Sequence, residues 1–277
     1  MDHKYLSIDN VSLAYIEKNA GEKETIFFIH GNSMSSGMWE KQFASNLFSK
    51  YRLIAFDLPA HGNSAVPENY EIVYKDMLPY LAGIISKAVK KLAPKGRYFL
   101  TGLSLGSNII AEMLNFEINP VGIALISPDI FGEDYPLTKI FKDNADIGMF
   151  FTDEPAEISS NIFFSEASPI KKGPETDSLI IDYTKVKSPF RSSLLNYGNT
   201  AKLKDEVMIL HKYCNPLFLL FGKDDQFTQT DYLDAAPLNI MNNTIHKIEN
   251  AGHYVNMEQP RIFNRLLAEY FNAVSEY

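Results

Sequence analysis

The chain has 277 residues, of which 45% are hydrophobic and 22% charged, a composition typical of a folded globular protein. Its net charge of −8, from 26 basic and 34 acidic side chains, argues against a surface for nucleic acids or acidic membranes. A single cysteine precludes an intramolecular disulfide bond, and the first residues lack the apolar core of a signal peptide, so we expect a cytoplasmic protein.

Short apolar runs alternate with helical patterns along much of the chain. This alternation predicts an α/β fold with a mostly parallel central sheet and helices on its faces. The first two runs predict a hairpin that turns at Asp9 and Asn10, and apolar periodicity predicts helices over residues 39–48, 77–92, 105–116 and 262–274. The predicted strands are Tyr5–Ile8, Val11–Ile16, Thr25–Ile29, Leu53–Phe56, Tyr98–Thr101, Val121–Ile126, Pro216–Phe221 and Thr244–Ile248.

The alternation stops between Ser127 and Asn215, where prolines interrupt short helical patterns. This interval is too long for one crossover, because long loops without regular structure are rare inside compact domains. We therefore predict a helical lid at residues 129–205, inserted into a core formed by residues 1–128 and 206–277. The lid is rich in aromatic residues, of which Phe131, Phe150 and Phe151 are expected to contact substrate. The other lid aromatics are Tyr135, Phe141, Phe163 and Phe164.

The stretch YFLTGLSLGSNII places Ser104 between two glycines, where a predicted strand passes directly into a predicted helix. Such a junction needs a sharp bend at one residue, and its neighbours two positions away must be very small. Gly102 and Gly106 satisfy that requirement. The bend presents the serine hydroxyl at the carboxyl edge of the sheet, beside the free N–H groups of a helix N-terminus.

A nucleophilic serine needs a histidine base and an acid that orients it. Only one of the six histidines lies in a glycine-containing loop after a late strand, and this is His253 in ENAGHYVNMEQP. Asp224 and Asp225 follow the strand in FLLFGKDDQF, and Asp129 follows an earlier strand. Asp224 and Asp225 are both possible orienting acids.

Five motifs in this order resemble the α/β-hydrolase family. FFIHGNSMSSGMW resembles its oxyanion loop. AFDLPAHGNS resembles a second loop of the family, D-x-P-G-H-G-x-S, except that Ala60 stands where glycine is usual. GLSLGS resembles the nucleophile elbow, FGKDD the acid loop and AGH the histidine loop. The HGNSMSSG and DLPAHGNS loops are also similar to those of serine-type N-acyl-homoserine-lactone hydrolases.

The resemblance implies an α/β-hydrolase fold in which Ser104 is the nucleophile, His253 the base and Asp225 the acid. It implies that the backbone N–H groups of Asn32 and Leu105 form the oxyanion hole. Ser33 is the alternative to Asn32, and Asp224 or Asp129 to Asp225. The family pattern gives His30 and His61 structural roles.

A serine nucleophile in this fold implies a hydrolase, of esterase or lactonase type, that cleaves a small-molecule ester, thioester or lactone with water. Dehalogenases and epoxide hydrolases need a carboxylate nucleophile. Carbon–carbon bond hydrolysis and cofactor-free perhydrolysis use the same three residues and remain alternatives, as does a ligand-binding protein with a vestigial triad. No residues have the spacing of a metal site, and we expect no metal, cofactor, nucleic acid or membrane partner.

Overall fold

A computed structural model describes residues 2–143, 145–153 and 174–276. Eight strands form one sheet in the order β1-β2-β4-β3-β5-β6-β7-β8. β1 and β2 pair antiparallel, as do β2 and β4, and the pairs from β4 across to β8 are parallel. The strands are β1 (Lys4–Ile8), β2 (Val11–Lys18), β3 (Glu24–Ile29), β4 (Tyr51–Phe56), β5 (Tyr98–Leu103), β6 (Gly122–Ile126), β7 (Leu217–Gly222) and β8 (His246–Ile248).

Helices connect the strands and cover both faces of the sheet. They are α1 (Glu40–Phe43), α2 (Tyr70–Val73), α3 (Met77–Leu92), α4 (Leu105–Met113), α5 (Leu137–Ile140), α6 (Pro174–Lys185), α7 (Phe190–Thr200), α8 (Glu206–His211), α9 (Val255–Glu258) and α10 (Pro260–Ser275). Short 3₁₀ helices lie at Ser36–Trp39, Asn46–Phe48, Tyr74–Asp76, Ala145–Phe151 and Met241–Asn243. The α/β-hydrolase fold class predicted from the sequence is confirmed.

Two apolar clusters form the core, one on each face of the sheet. α3 and α4 pack on one face, and α10 packs with the residues around α1 on the other. Side chains along β3 alternate between the two clusters, so that Phe27 belongs to the first and Phe28 to the second. A strand buried on both faces explains why these parallel strands have nearly continuous apolar sequences.

The prediction of one continuous helix over residues 39–48 is wrong, because the segment divides into α1 and two 3₁₀ helices. The Ser35 and Ser45 hydroxyls accept hydrogen bonds from Gly37 N at 3.1 Å and Leu47 N at 3.3 Å. Serine side chains that bond to nearby backbone groups in this way start new turns rather than continue a helix.

The predicted lid follows β6, and its described parts contain α5, a 3₁₀ helix, α6 and α7. No strand occurs in its described residues, 129–143, 145–153 and 174–205. Phe163 and Phe164 lie outside the described residues, and the division of the chain at residues 129 and 205 stays a prediction. Among the described residues, no helix combines the length and apolar character needed to cross a membrane.

Candidate active site

Ser104 lies at the sharp turn between β5 and α4. Its backbone has φ 52° and ψ −122°, a conformation that L-residues rarely adopt and that stores strain. A Cβ atom at Gly102 would lie 2.5 Å from the carbonyl carbon of Gly106, and one at Gly106 would lie 2.4 Å from Ile29 O. Both positions therefore require glycine, which explains the spacing around the serine.

Asp225 and His253 come together from the loops that follow β7 and β8. The His253 Nδ1 atom lies 2.8 Å from Asp225 Oδ2, in a buried hydrogen bond. The other carboxylate oxygen of Asp225 accepts hydrogen bonds from Phe227 N at 2.8 Å and Thr228 N at 3.0 Å. Asp225 is fully buried, whereas Asp224 is exposed. The geometry therefore favours Asp225 over Asp224 as the acid that orients the histidine.

Ser104 and His253 line the same cavity above the carboxyl edge of the sheet. The cavity has a volume of about 130 Å³ and is large enough to hold several water molecules. Its other polar lining residues are Asn32, Asn108, Asp129, Tyr197 and Tyr254. The apolar lining comes largely from lid residues: Phe131, Leu137, Phe141, Ile147, Phe150, Phe151, Leu194 and Leu203.

The predicted oxyanion residues Asn32 and Leu105 both line this cavity beside Ser104. Leu105 is the first residue of α4, where a backbone N–H has no partner inside the helix. The alternative donor, Ser33, already donates its backbone N–H to His61 Nε2 at 3.1 Å. This hydrogen bond favours Asn32 as the second donor.

His30 and His61 support the loops around the cavity. His30 Nε2 accepts a hydrogen bond from Leu58 N at 2.9 Å, and its Nδ1 lies 2.7 Å from Gly31 O. Burial lowers the pKa of His30 to about 4 and holds that of His61 well below its ordinary value. Burial therefore favours the neutral form of both rings, whose Nε2 atoms accept hydrogen bonds from the backbone N–H groups of Leu58 and Ser33.

The charge state of His253 depends on opposing influences. Burial lowers its pKa, but the negative charge and hydrogen bond of Asp225 raise it, and the charge of Asp129 adds to that effect. The net result is a pKa above the ordinary value of 6.5. A raised pKa makes the imidazole a stronger base, which suits proton abstraction from a serine hydroxyl.

Asp129 is not the carboxylate bonded to His253 Nδ1, because that hydrogen bond is made by Asp225. Its side chain instead lines the same cavity as Ser104. Burial raises the pKa of Asp129 to about 7, although the positive charge of His253 and the serine hydroxyl favour the ionised form. From the sequence, Asp129 was only an alternative acid, and its placement facing the cavity was missed.

The lid is joined to the oxyanion loop by hydrogen bonds. Asn32 Nδ2 donates to Phe150 O at 2.8 Å, and Ser33 Oγ accepts a hydrogen bond from Arg191 Nε at 2.9 Å. Arg191 is only 2% exposed, and its guanidinium carbon lies 3.9 Å from the centre of the Tyr183 ring. No sequence pattern indicated this buried arginine, since an Arg after Pro-Phe has no distinguishing feature.

The three predicted lid aromatics, Phe131, Phe150 and Phe151, all line the cavity, and so does Phe141. Tyr135 instead packs against Tyr232, with ring centroids 6.5 Å apart. Within the described ranges, no group of three or more His, Cys, Asp or Glu side chains is arranged to hold a metal ion.

The fold and this cavity define a member of the α/β-hydrolase family. A model of that family, described as "Alpha/beta hydrolase family", matches residues 26–266, and the chain belongs to it. Membership of this family supports hydrolase activity.

The individual proteins that this chain resembles share only about a fifth of its residues. The uncharacterized hydrolase YugF of Bacillus subtilis is 21% identical, over 95% of this chain and 96% of that protein. The N-acyl homoserine lactonase AidH, in a mutant complexed with N-hexanoyl homoserine lactone, superposes with a TM-score of 0.89. It is 22% identical, over 100% of this chain and 99% of that one. A thermophilic esterase from Thermogutta terrifontis gives a TM-score of 0.75 at 18% identity, over 99% of both chains.

Proposed function

We propose that this protein is a serine hydrolase that cleaves small-molecule esters, thioesters or lactones through a Ser104–His253–Asp225 triad. The observation that carries the proposal is the convergence on one cavity of Ser104, on a strained turn, and His253, whose other ring nitrogen is held by Asp225. The mostly apolar lining suits an acyl chain rather than a charged substrate.

In the proposed mechanism, His253 takes the hydroxyl proton as Ser104 attacks the substrate carbonyl. The imidazolium that forms is stabilised by Asp225, which also fixes the ring orientation. The Asn32 and Leu105 N–H groups stabilise the oxyanion of the tetrahedral intermediate, and each such donor contributes about 3–4 kcal/mol in a comparable enzyme. His253 then gives its proton to the leaving alkoxide or thiolate, and water releases the acyl group by the reverse steps.

A fluorophosphonate probe tests the nucleophile directly. Wild-type protein should be labelled at Ser104, and Ser104→Ala should be unlabelled and lose at least ~10³-fold in turnover of p-nitrophenyl butyrate. Ser49→Ala, at an exposed serine far along the chain, is the matched control and should retain both properties. Equal labelling of Ser104→Ala would contradict the proposal.

Turnover separates the alternatives that share the triad. A ligand-binding protein with a vestigial triad could still bind an ester or react with the fluorophosphonate probe. It would, however, hydrolyse p-nitrophenyl butyrate no faster than Ser104→Ala does. A carbon–carbon bond hydrolase would cleave a vinylogous 1,5-diketone faster than any ester. A panel of esters, thioesters and lactones of one acyl length, compared by kcat/KM, identifies the preferred acyl linkage.

A further inference from the structure

The oxyanion loop contains a strained residue next to the proposed donor Asn32. Ser33 has a backbone φ of 65°, in the left-handed region that residues other than glycine rarely adopt. Such a conformation persists only where the surrounding structure holds it in place. Because Ser33 directly follows Asn32, a relaxation of its backbone would displace the Asn32 N–H. The position of this donor therefore depends on what holds Ser33.

A chain of hydrogen bonds holds both residues of the loop. Ser33 Oγ accepts a hydrogen bond from Arg191 Nε at 2.9 Å and donates one to Asn32 Oδ1 at 3.0 Å. Asn32 Nδ2 donates to Phe150 O at 2.8 Å. The Asn32 side chain is thus fixed at its oxygen and at its nitrogen, and Arg191 is the first donor of the chain.

Arg191 is itself anchored within the lid. Its guanidinium donates to the Tyr183 carbonyl, and its central carbon lies 3.9 Å from the centre of the Tyr183 ring. The Tyr183 hydroxyl donates to Met149 O at 3.0 Å, next to the residue that binds the Asn32 amide. The lid segments that hold the oxyanion loop are therefore joined to each other around the same arginine.

The Arg191 guanidinium is buried among neutral partners. Among the described residues, no carboxylate forms an ion pair with it. Asp153 Oδ1 accepts from the Arg191 backbone N–H at 3.2 Å instead. A buried charge is costly unless it is paired, and departures of this kind concentrate at functional sites. Arg191 does not line the cavity, so it acts through the loop and not by contact with substrate.

We propose that Arg191 is a positioning residue for the oxyanion hole, and that it holds the Asn32 N–H in place through Ser33. The inference rests on the proposed function and extends its machinery to a residue behind the cavity wall. The oxyanion then meets a donor that is fixed before the substrate arrives, which is the condition for strong electrostatic stabilisation. Turnover of every substrate should depend on Arg191, although Arg191 contacts none of them.

Arg191→Met tests the role because methionine has a similar length and no donor. Outright removal of one oxyanion donor costs about 10²–10³-fold in turnover. Here the donor is only displaced, so kcat for p-nitrophenyl butyrate should fall roughly 10–100-fold, with KM within about threefold of wild type. Arg191→Lys keeps the charge and a donor for Ser33, and it should lose less than about tenfold.

A transition-state analogue separates positioning from packing. Trifluoromethyl propyl ketone carries the same acyl group as p-nitrophenyl butyrate, and a nucleophilic serine adds to its carbonyl. The oxyanion of that adduct occupies the oxyanion hole. In Arg191→Met, the inhibition constant of the ketone should rise by the same factor as kcat/KM falls. A merely structural role would lower the amount of active protein and leave the inhibition constant unchanged.

Ser33→Ala removes the hydroxyl that Arg191 binds and leaves the guanidinium in place. It should reproduce most of the Arg191→Met loss, and the double variant should lose little more, as expected for one hydrogen-bond chain. Asp182→Ala is the matched control, because Ser35 Oγ donates to Asp182 Oδ2 at 2.7 Å in a lid-to-loop bond that does not involve Asn32. Its kcat should stay within about threefold of wild type.

Each outcome decides the question. If Arg191→Met keeps kcat within about threefold, or loses it with the inhibition constant unchanged, Arg191 has no positioning role. An equal loss in Asp182→Ala would show that lid attachment in general sets the donor, and would also overturn the proposal. A wild-type protein that shows no hydrolysis, probe labelling or ketone inhibition would instead contradict the proposed function. If Arg191→Met does not fold, Ser33→Ala decides by the same two measurements.

Discussion

The two sides of the active-site cavity are built in different ways. On the core side, Ser104, Asp225 and His253 follow strand ends, and backbone geometry fixes their positions: a strained turn at Ser104 and two N–H donors on Asp225. On the lid side, the wall consists mainly of apolar side chains such as Phe131 and Phe151. Apolar side chains, rather than hydrogen-bonding groups, therefore form the surface of that wall.

This difference separates chemistry from selectivity. Changes on the core side should remove turnover for every substrate, because they disturb bond making. Changes on the lid side should alter the ranking of substrates, because they disturb only the shape and polarity of the wall. Asp129 belongs to both sides, since it follows β6 of the core and begins the predicted lid. The predictions below test the separation.

The largest effect is expected for the acid on the core side. Asp225→Asn should reduce kcat for p-nitrophenyl butyrate at least ~10²-fold, because the amide no longer holds His253 in the required tautomer. The thermal midpoint should change little, since asparagine has the same shape. Asp224→Asn is the matched control, and its kcat should stay within roughly tenfold of wild type because Asp224 is exposed. If Asp225→Asn kept the wild-type kcat and Asp129→Asn lost most of it, Asp129 would be the acid that orients His253.

The pH profile should show the raised pKa of His253. A general base must be neutral, so a raised pKa places the half-maximal point of kcat/KM above pH 6.5, with a tenfold loss per pH unit below it. The carboxylates that face His253 are Asp225, Asp129 and Glu258, and each raises that pKa. With p-nitrophenyl butyrate, Asp129→Asn should move the half-maximal point to lower pH. A shift to higher pH would contradict this account.

The smallest effect is expected on the lid side. Phe151→Ala removes apolar contact from the cavity, and kcat/KM for p-nitrophenyl hexanoate should fall ~3–10-fold, as expected for about 1 kcal/mol of lost apolar burial. Turnover of the acetate ester, which does not reach the lid, should stay within twofold. Tyr135→Ala removes a lid aromatic that does not line the cavity and should leave the hexanoate-to-acetate ratio unchanged. An equal loss on both esters would indicate that Phe151 acts on the chemistry.

The fold could be predicted from the sequence because its strands are local patterns. All eight strands were predicted, within a few residues at their ends, as short runs rich in Ile, Leu, Phe and Val. The turn at Ser104 was also local, since the two glycines and the serine lie within five positions. The helix predicted over residues 39–48 was wrong because a new turn starts at Ser45, whose hydroxyl accepts a hydrogen bond from Leu47 N, and apolar periodicity does not register such side-chain bonds.

The parts of the site that the sequence did not predict depend on distant contacts. The hydrogen bond from Asn32 to Phe150 spans 118 positions, and that from Arg191 to Ser33 spans 158. The position of Asp129 at the cavity wall is likewise not encoded by any residue spacing. The choice of Asp225 over Asp224, by contrast, followed from the family pattern, and the buried bond to His253 supports it.

The buried Arg191 limits the replacement of this lid by the lid of another protein with the same fold. Its guanidinium donates to the Tyr183 carbonyl within the lid and to the Ser33 hydroxyl beside the oxyanion loop. A lid grafted from another protein would leave Ser33 without this donor, and the loop that holds Asn32 would lose its support. The lid and the oxyanion loop are therefore coupled by hydrogen bonds, and engineering of a new lid requires redesign of residues 32–35 at the same time.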